Sequence, residues 1–468
     1  MKRTRMLLTP DPTFYPSPRL AMQAPVERLA YVALLNPQSD GRPDGMAVVD
    51  VDPASNSYGR VVGRVDMPHA GDELHHFGWN ACSSALCPYA PHPHIERRYL
   101  ITPGLRSSRI YVIDTKPDPR QPKIIKVIEP EEVASRTGYS RTHTVHCGPD
   151  GIYVSALGAP DGGGPGGIFL LDHFSFNVLG RWEMDRGPQH FAYDFWWHLG
   201  QDTMLTSEWG TPNMLENGIN PELLLAGKYG HSMHVWDLRR RRHQQALDLG
   251  SEQQLVLELR PAHDPTRAYG FVGVVVSLKD LSSSIWLWTR DNGKWGVKKV
   301  IEIPAEPADP ELLPPLLKGF KAVPPLLTDI DLSLDDRFLY ASCWGTGEMR
   351  QYDVSDPHNP KQVGSLHIGG ITRRTAHPSK PQAALNGGPQ MVEVSRDGRR
   401  VYFTNSLYSS WDAQFYPEGI RGWMVKADAG PDGGLKLDPK FFVEVDGMRP
   451  HQVRLEGGDA SSDSYCYP

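Results

Sequence analysis

The sequence predicts an all-β protein, a seven-bladed β-propeller with blade-connecting insertions that cap one end. Two segments, residues 327–340 and 389–402, alternate apolar and polar residues around a charged turn, as a β-hairpin does. Each is followed by two further strand-like runs, which completes a four-stranded antiparallel unit. The 45 glycines and 42 prolines favour many turns over long helices. Units of this kind stack radially as propeller blades.

Five more units with the same pattern come before these two, so seven blades follow one another at intervals of about 45 to 60 residues. We interpret residues 1–28 as an N-terminal extension and residues 29–468 as one propeller domain. A strand near residues 448–456 has no hairpin after it, so we expect it to close the ring beside the first blade. Three stretches fit no blade and are predicted to cap one end: residues 213–228, 304–325 and 371–388.

The charge balance argues against a dedicated nucleic-acid-binding protein, because 49 basic and 55 acidic residues give a formal charge of -6. No apolar run reaches the ~20 residues of a membrane span, and the basic N-terminus lacks the apolar core of a signal peptide. Five cysteines, an odd number in a long chain, do not indicate a disulfide framework. We therefore expect a cytoplasmic monomer without nucleic-acid or membrane partners.

The densest group of candidate ligands lies in residues 71–87, GDELHHFGWNACSSALC. The adjacent pair His75 and His76 comes shortly before Cys82, and Cys87 follows. Imidazole and thiolate bind copper, zinc and similar metals, and thiolate also reacts with soft electrophiles. Cys82 is the candidate reactive thiol, and the alternative is a small buried residue. We assign Cys147 to the core.

Alignment of the innermost strands on their hairpins places further histidines at equivalent positions. His143 in the third blade matches His451 in the closing strand, and His190 opens the inner strand of the fourth blade. Equivalent positions of a propeller surround one end of its channel, so six histidines are predicted to meet in one ring: His75, His76, His143, His146, His190 and His451. Three or four neutral imidazoles that face one point suit copper, zinc or iron.

Each of these histidines alone is more often a hydrogen-bonded structural residue than a ligand. His143 and His146 face opposite sides of a regular strand, so only a bulge or a strand end brings both to one ion. Three carboxylates are expected to orient the ligands: Asp331, Glu393 and Glu208. Cys82 and Glu208 are the candidate catalytic residues. Nine other histidines are assigned to the surface, among them His173, His198, His263 and His377.

Several motifs in the chain are long and specific: GDELHHFGWNACSS, HTVHC, TSEWG, LLTDIDLSLDDRFLY, GGPQM and SLYSSWDAQFYP. They resemble the selenium-binding protein family, which includes the methanethiol oxidases, and the resemblance runs from residue 31 to residue 463. The resemblance implies a propeller, and bacterial members are similar to copper enzymes that oxidise methanethiol with O2 and water to formaldehyde, hydrogen sulfide and hydrogen peroxide. The family's histidines match five residues of this chain: His75, His76, His143, His146 and His451. Its selenium-associated cysteine matches Cys82.

One position departs from the family pattern. Animal members carry a CSSC pair, whereas Ala85 stands at the fourth position here and Cys87 lies two residues beyond. A selenium-binding mechanism that needs both sulfurs at that spacing is therefore not expected.

The residues and the resemblance together lead to one hypothesis, a copper-dependent methanethiol oxidase with a small thiol and O2 as its partners. Methanethiol is expected to bind as the thiolate beside the metal, in a cavity lined by Trp79, Phe195 and Trp209. The first alternative is a selenium- or thiol-binding redox protein that acts through Cys82 without turnover. The second is a partner-binding propeller that carries out no chemistry.

Overall fold

The computed structural model describes residues 9–37, 40–86, 94–116, 118–458 and 460–468. Seven four-stranded antiparallel sheets form the ring, which confirms the predicted seven-bladed propeller. In six of the sheets the strands follow one another in sequence from the channel outwards. Blade 1 differs, because its innermost strand comes from the end of the chain.

The strands of the first four blades are short, from two to nine residues. They are β1 (Leu29–Leu35), β2 (Gly45–Asp50) and β3 (Val61–Asp66) in blade 1; β4 (Gly78–Trp79), β5 (Tyr99–Pro103), β6 (Ile110–Asp114) and β7 (Lys123–Ile128) in blade 2; β8 (Ser140–Gly148), β9 (Gly151–Gly158), β10 (Gly167–Leu171) and β11 (Val178–Arg181) in blade 3; and β12 (Phe195–His198), β13 (Thr203–Ser207), β14 (Ser232–Asp237) and β15 (Arg242–Asp248) in blade 4.

The later strands complete the ring. They are β16 (Gln253–Pro261), β17 (Tyr269–Ser277), β18 (Ser283–Asp291) and β19 (Lys294–Ile303) in blade 5; the separate pair β20 (Glu306–Pro307) and β21 (Ala322–Val323); β22 (Leu327–Leu332), β23 (Phe338–Cys343), β24 (Glu348–Asp353) and β25 (Lys361–His367) in blade 6; β26 (Val392–Val394), β27 (Arg400–Thr404), β28 (Met424–Ala429) and β29 (Leu435–Val443) in blade 7; and the closing strand β30 (Arg449–Leu455).

The helices are few and short: α1 (Pro18–Gln23), α2 (Pro130–Thr137), α3 (Pro212–Leu215), α4 (Pro221–Leu225) and α5 (Ser409–Phe415). Four of them begin at a proline, whose missing N–H costs nothing in the first turn. The longest has eight residues, and none of the helices in the described part of the chain could cross a membrane. Five single 3₁₀ turns are also present: Ser83–Leu86, Leu199–Gln201, Pro310–Leu312, Lys318–Phe320 and Ala460–Ser462.

Burial falls from the channel outwards in each blade. All seven residues of β1 are buried, whereas β3 at the outer edge alternates exposed and half-buried positions. The same contrast separates β16 from β19. Inner strands are covered by neighbouring blades on both faces, which is why they form continuous apolar runs rather than alternating ones.

Blade-connecting insertions cover one end of the ring, as predicted. Side chains from the three predicted stretches pack into a single apolar cluster, with Ile219, Leu317 and Ile371 as examples. A fourth element, α5, was not predicted and contributes Trp411 and Phe415 to the same cluster. Its sequence, SSWDAQF, is too short for helical periodicity to be recognised.

The ring is closed by antiparallel pairing of β30 with β1. Glu27, which lies just before β1, is buried and forms ion pairs with Arg396 and Arg400 of blade 7, each at 2.8 Å. The N-terminal residues are thus tied to the last blade by both backbone and side-chain contacts.

Replacing Glu27 with alanine is expected to destabilise the fold by about 3–5 kcal/mol, because two buried guanidinium groups lose their carboxylate. Glu302→Ala is the matched control, since its partner Lys299 lies at the surface and the pair is half-exposed; a loss below about 1 kcal/mol is expected there. Urea denaturation of the three proteins measures the difference. Equal losses in the two variants would contradict the importance of the Glu27 pairs for closure.

Candidate metal centre

Four buried imidazoles meet inside the propeller, and we call them the histidine cage: His75, His76, His143 and His451. Ring centroids of His75 and His451 lie 3.5 Å apart, and those of His76 and His143 lie 4.1 Å apart. One ring nitrogen from each of His75, His76 and His143 lies within 4.8 Å of the others. Residues separated by up to 376 positions in the sequence therefore share one small volume.

Two of the cage histidines are presented by β-bulges in innermost strands. β8 carries one extra residue between Thr142 and Val145 relative to β9, and β30 carries one between Pro450 and Val453 relative to β1. The two strand-borne cage histidines lie inside these bulges. β16 and β22 carry bulges as well. Bulges re-aim side chains and are frequent beside active sites.

The other two cage histidines lie in an irregular segment just before β4. The segment is held by Leu74, which forms an isolated bridge with Gly104 and donates its N–H to the Asp44 carboxylate at 2.8 Å. At its other end, the Phe77 N–H donates to the side chain of Gln452 in the closing strand. The closing strand thus supplies one histidine of the cage and also fixes the backbone that carries two others.

Hydrogen bonds on the outer nitrogens determine which nitrogen of each ring has a free lone pair. His451 Nδ1–H donates to the Ser406 carbonyl at 2.6 Å, and His75 Nε2–H donates to the Leu407 carbonyl. In the tautomer in which His143 donates its Nδ1–H to the Thr144 hydroxyl at 3.0 Å, that hydroxyl donates in turn to the Tyr193 carbonyl at 3.4 Å. With these tautomers, inferred from the hydrogen-bond network, the remaining nitrogens are lone-pair donors to a metal.

The nitrogens left over by these hydrogen bonds face one another. His75 Nδ1 and His143 Nε2 are 3.1 Å apart, and neither carries a proton in the assigned tautomers. Two nitrogens bound to one ion at about 2.0–2.1 Å lie about 3.3 Å apart in tetrahedral geometry. Nε2 of His76 and Nε2 of His451 are buried and have no hydrogen-bond partner among the described residues. The cage therefore fits a metal ion that prefers imidazole.

The cage imidazoles are neutral at physiological pH. Burial lowers the pKa of His75 to about 3, and burial followed by the charges of neighbouring imidazoles lowers the pKa of His76 well below 6.5. The pKa values of His143 and His451 are lowered for the same reasons. Neutral imidazole is the form that binds metals.

A buried ion network lies next to the cage, and the sequence analysis missed its centre. Arg260 contacts four carboxylates at 3.3–3.7 Å: Asp194, Glu258, Asp329 and Asp331. Glu258 lies 3.7 Å from Nε2 of His76 and accepts a hydrogen bond from the Tyr193 hydroxyl at 2.7 Å. Glu258 lies inside the bulge of β16, between Val256 and Leu259, and strand alternation does not reveal such a position.

Burial dominates the acid–base properties of this network. It raises the pKa of Glu258 to about 8 and the pKa of Asp194 to about 6, with the neighbouring carboxylates and Arg260 adding smaller effects. The pKa of Asp329 is also raised by burial. At neutral pH Glu258 and Asp329 are therefore mostly protonated, and a cation bound nearby would favour their ionised forms.

The three carboxylates that were expected to orient the ligands make other contacts. Asp331 accepts the Val394 N–H and contacts Arg260, and Glu393 pairs with Arg454 at 2.8 Å. Glu208 accepts from His234 Nε2 at 2.9 Å and from the Ser232 N–H, both in blade 4. These contacts give the Glu208 carboxylate hydrogen-bond partners within blade 4. Its catalytic role stays a prediction.

His146 and His190 do not join the cage. The His146 ring lies on Trp196, with centroids 3.7 Å apart, and its Nε2 is 3.6 Å from Asp194. Three residues of extended strand span about 10 Å, and only His143 lies inside the β8 bulge, so His143 and His146 are too far apart to bind one ion. His190 is exposed, and its ring contacts Phe191 before β12 begins.

The comparison with known proteins agrees with this architecture. The profile of the 56 kDa selenium-binding proteins matches residues 8–466. The chain belongs to this family. A methanethiol oxidase of Xenopus tropicalis is 42% identical over 476 aligned residues, which cover 96% of this chain and 97% of that protein. The methanethiol oxidase of Homo sapiens and selenium-binding protein 2 of Mus musculus are each 41% identical with the same coverage.

Solved structures give the same assignment. A hypothetical selenium-binding protein from Sulfolobus tokodaii is 62% identical, with a TM-score of 0.95 and coverage of 98% of this chain and 100% of that chain. A periplasmic gluconolactonase of Pseudomonas aeruginosa is 12% identical, with a TM-score of 0.56 over 91% of this chain and 99% of its own. The latter likeness concerns the propeller fold alone.

The family's selenium-associated position, Cys82, lies in a different environment from the cage. Its Sγ is buried and 2.6 Å from the Cys147 carbonyl oxygen, and burial raises the pKa of the thiol well above its ordinary value. Cys147 is core, as predicted, but its Sγ also lies 3.3 Å from Nε2 of His173. The prediction that His173 lies at the surface is wrong, because blade 3 buries it. Cys87 lies outside the described residues.

Three other histidines assigned to the surface are also buried. His263 lies between Asp336 and the Ser461 carbonyl, each at 2.8 Å. His198 hydrogen-bonds the Arg267 carbonyl at 2.5 Å, and His377 stacks on Phe442. His263 and His377 lie in loops and His198 ends β12, and each finds partners in neighbouring segments that strand periodicity does not reveal.

The pH dependence of stability offers a test of the His146 environment. Burial lowers the pKa of His146 well below 6.5, so below that pH the unfolded chain binds a proton that the native state does not. Stability is therefore lost as pH falls, by about 2 kcal/mol between pH 7 and pH 5 for this one group. In the metal-free protein, His146→Gln is expected to show a correspondingly shallower loss. Chemical denaturation across this pH range measures it, and parallel curves for wild type and variant would contradict the neutral assignment.

Proposed function

We propose that this chain is a copper-dependent methanethiol oxidase, converting methanethiol, O2 and water to formaldehyde, hydrogen sulfide and hydrogen peroxide. The observation that carries the proposal is the cluster of four buried imidazoles, in which His75 Nδ1 and His143 Nε2 lie 3.1 Å apart. Support also comes from relatives named methanethiol oxidase that are 41–42% identical over nearly the whole chain.

The residues that would hold the ion are the four cage histidines. Copper supplies the redox chemistry and the Lewis acidity that favours the thiolate form of a bound thiol. Zinc and iron also bind imidazole, and the oxidation of a thiol by O2 favours a redox metal over zinc.

The chain itself orients the ligands and excludes water. Carbonyl groups of Ser406 and Leu407 fix two of the imidazole rings, as outer partners of metal-bound histidines do. Aromatic side chains close the cage: Tyr193 lies 4.6 Å from the His143 ring, Trp209 lies 6.1 Å from it, and Tyr408 lies 5.9 Å from the His75 ring. A dry enclosure protects reactive products of oxygen chemistry from side reactions.

A carrier role through Cys82 is less consistent with the geometry. A nucleophilic cysteine is exposed and has a lowered pKa, whereas Cys82 is buried and its pKa is raised by burial.

Four cysteines described by the structure are free thiols, which supports a reducing compartment and hence the cytoplasm. All seven blades come from one chain, which is consistent with a functional monomer.

Separate substitutions in the cage and at Cys82 test which of the two sites is needed for turnover. In protein purified without a histidine tag, His143→Ala and His451→Ala are expected to lose bound copper and to lower methanethiol turnover at least about 100-fold, since each removes a ligand. Cys82→Ser is expected to retain both. Copper content by elemental analysis, methanethiol loss from the headspace and release of sulfide are the measurements.

His190→Ala is the matched control, because it removes an imidazole outside the cage. Turnover that survives in His143→Ala and disappears in Cys82→Ser would favour the thiol carrier over the oxidase. If neither the wild type nor any variant binds copper or turns over methanethiol, the remaining interpretation is a partner-binding propeller that carries out no chemistry.

Metal removal gives an independent measure of the site. One equivalent of Cu²⁺ added to chelator-treated protein is expected to raise the free energy of unfolding, by about 2.7 kcal/mol when free metal is 100 times Kd. His143→Ala is expected to show little of this increase, and Ca²⁺, which prefers oxygen ligands, none in either protein. Thermal unfolding with and without metal measures the effect. An equal rise in His143→Ala would place the ion elsewhere.

A further inference from the structure

A small cavity lies beside the inner strands of blades 2 and 3. Its volume is about 20 Å³, which is enough for one water molecule. Two cysteines line it: Cys82, from the connection that follows β4, and Cys147, near the end of β8. Cys147 lies four residues beyond His143 along the chain, and no histidine of the cage lines the cavity. The cavity is therefore separate from the metal centre.

The two cysteines of this cavity are in direct contact. Cys82 Sγ lies 2.6 Å from the Cys147 carbonyl oxygen, and the two thiols are within hydrogen-bonding reach of each other. The Ser84 hydroxyl donates to the same carbonyl at 2.9 Å and lies 2.6 Å from Cys82 Sγ. The connection after β4 thus holds the Cys82 sulfur beside a cysteine of the neighbouring blade.

Cys147 also has a basic partner. Its Sγ lies 3.3 Å from Nε2 of His173, which is buried in the turn between β10 and β11. Burial alone would raise the pKa of the Cys147 thiol, but the hydrogen bond with Cys82 and the charge of His173 lower it well below its ordinary value. The pKa of Cys82 is raised by burial. The contacts thus favour a thiolate at Cys147 and a protonated thiol at Cys82.

The lining of the cavity also contains polar groups for a small molecule. His146 and Trp196 line it, and each has a buried ring nitrogen without a hydrogen-bond partner among the described residues. Buried polar groups are usually paired, with ordered water where protein partners are lacking. Asp463 forms part of the wall. Cys466, three residues later, is half-buried and contacts the Ser83 carbonyl, so the cavity lies close to the surface.

We propose that Cys147 and Cys82 form a dithiol site that reduces hydrogen peroxide, with Cys147 as the attacking thiol and Cys82 as the resolving one. Because both thiols are buried, only a very small oxidant reaches them, and hydrogen peroxide is one oxygen atom larger than water. A thiolate next to a second thiol is the arrangement that peroxide converts to a disulfide. The inference goes beyond the proposed function and does not depend on it, since peroxide from any source would serve.

The reaction balances in atoms and electrons. The Cys147 thiolate attacks one peroxide oxygen, the O–O bond breaks, and the departing hydroxide takes a proton from the His173 imidazolium and becomes water. The Cys82 sulfur then attacks the sulfur of the Cys147 sulfenic acid, the S–O bond breaks, and the departing hydroxide takes the Cys82 proton. Two thiols lose two electrons, and one peroxide becomes two water molecules.

Peroxide titration of the metal-free protein tests the site without any oxidase turnover. Chelator-treated wild type, exposed to one equivalent of hydrogen peroxide and then alkylated, is expected to contain one disulfide, between Cys82 and Cys147, by peptide mass spectrometry. Cys147→Ser is expected to consume peroxide at least about 10-fold more slowly, because the thiolate is the nucleophile. In Cys82→Ser, Cys147 is expected to stop at the sulfenic acid, which dimedone traps.

Cys343→Ser is the matched control, since it removes another buried thiol and leaves the pair intact. Burial raises the pKa of Cys343 to about 12, so this variant is expected to consume peroxide at the wild-type rate with the wild-type stoichiometry. The disulfide mapping in the wild type requires no substitution, and it decides the question even if a variant does not fold.

The outcomes separate this inference from the proposed function. No disulfide in the wild type, a disulfide from Cys82 to any other cysteine, or oxidation of Cys343 as fast as Cys147 would overturn the dithiol site. The expected disulfide in a chain that binds no copper and oxidises no methanethiol would support the dithiol site and refute only the oxidase. Copper-dependent turnover in a chain whose two cysteines stay reduced under peroxide would do the reverse.

Discussion

The centre of this protein depends on the antiparallel pairing of β30 with β1. This pairing closes the ring and also carries His451 into contact with His75, a residue from the other end of the chain. The side chain of Gln452, the next residue along the closing strand, holds the Phe77 backbone. Closure of the ring and assembly of the cage therefore depend on the same pairing, because opening the ring here would separate His451 from the other cage histidines. The buried Glu27 pairs reinforce the same seam from the side of blade 7.

Propeller geometry alone brings equivalent strand positions together, but it does not determine the direction in which their side chains point. Regular strands alternate their side chains between two faces, and the residues of an inner strand are shared between the channel and the neighbouring blades. The extra residues in β8 and β30 break that alternation where His143 and His451 lie. The Ser155 hydroxyl accepts the Thr144 N–H that the bulge removes from regular pairing. A bulge with its backbone groups satisfied in this way is a built feature rather than a defect.

The sequence predicted those features of the fold and of the cage that follow the repeating pattern of the blades. Hairpin periodicity predicted the blades, and alignment on the hairpins brought His143 and His451 to one level. The same alignment placed His146 and His190 in the cage, which is not where they lie. Strand register alone reveals neither a bulge nor the boundary between a loop and a strand. Glu258 lies inside the bulge of β16, which strand alternation does not reveal. His173 was misplaced because its partner Cys147 lies in another strand of the same blade. Contacts across strands and between loops depend on three-dimensional packing that a single sequence does not encode locally.

The surroundings of the cage differ from one flank to the other, and this asymmetry bears on the chemistry. On one flank, Glu258 lies 3.7 Å from the His76 ring. Its pKa is raised to about 8, so a cation bound nearby would favour its ionised form. On another flank, Trp209 and Leu407 present apolar surface that cannot solvate an ion. A neutral cage alone would bind a dication at a high desolvation cost, and a charged pocket alone would repel an apolar substrate. The two flanks together give the cage one side whose carboxyl groups could compensate a bound cation and another, apolar side that excludes water.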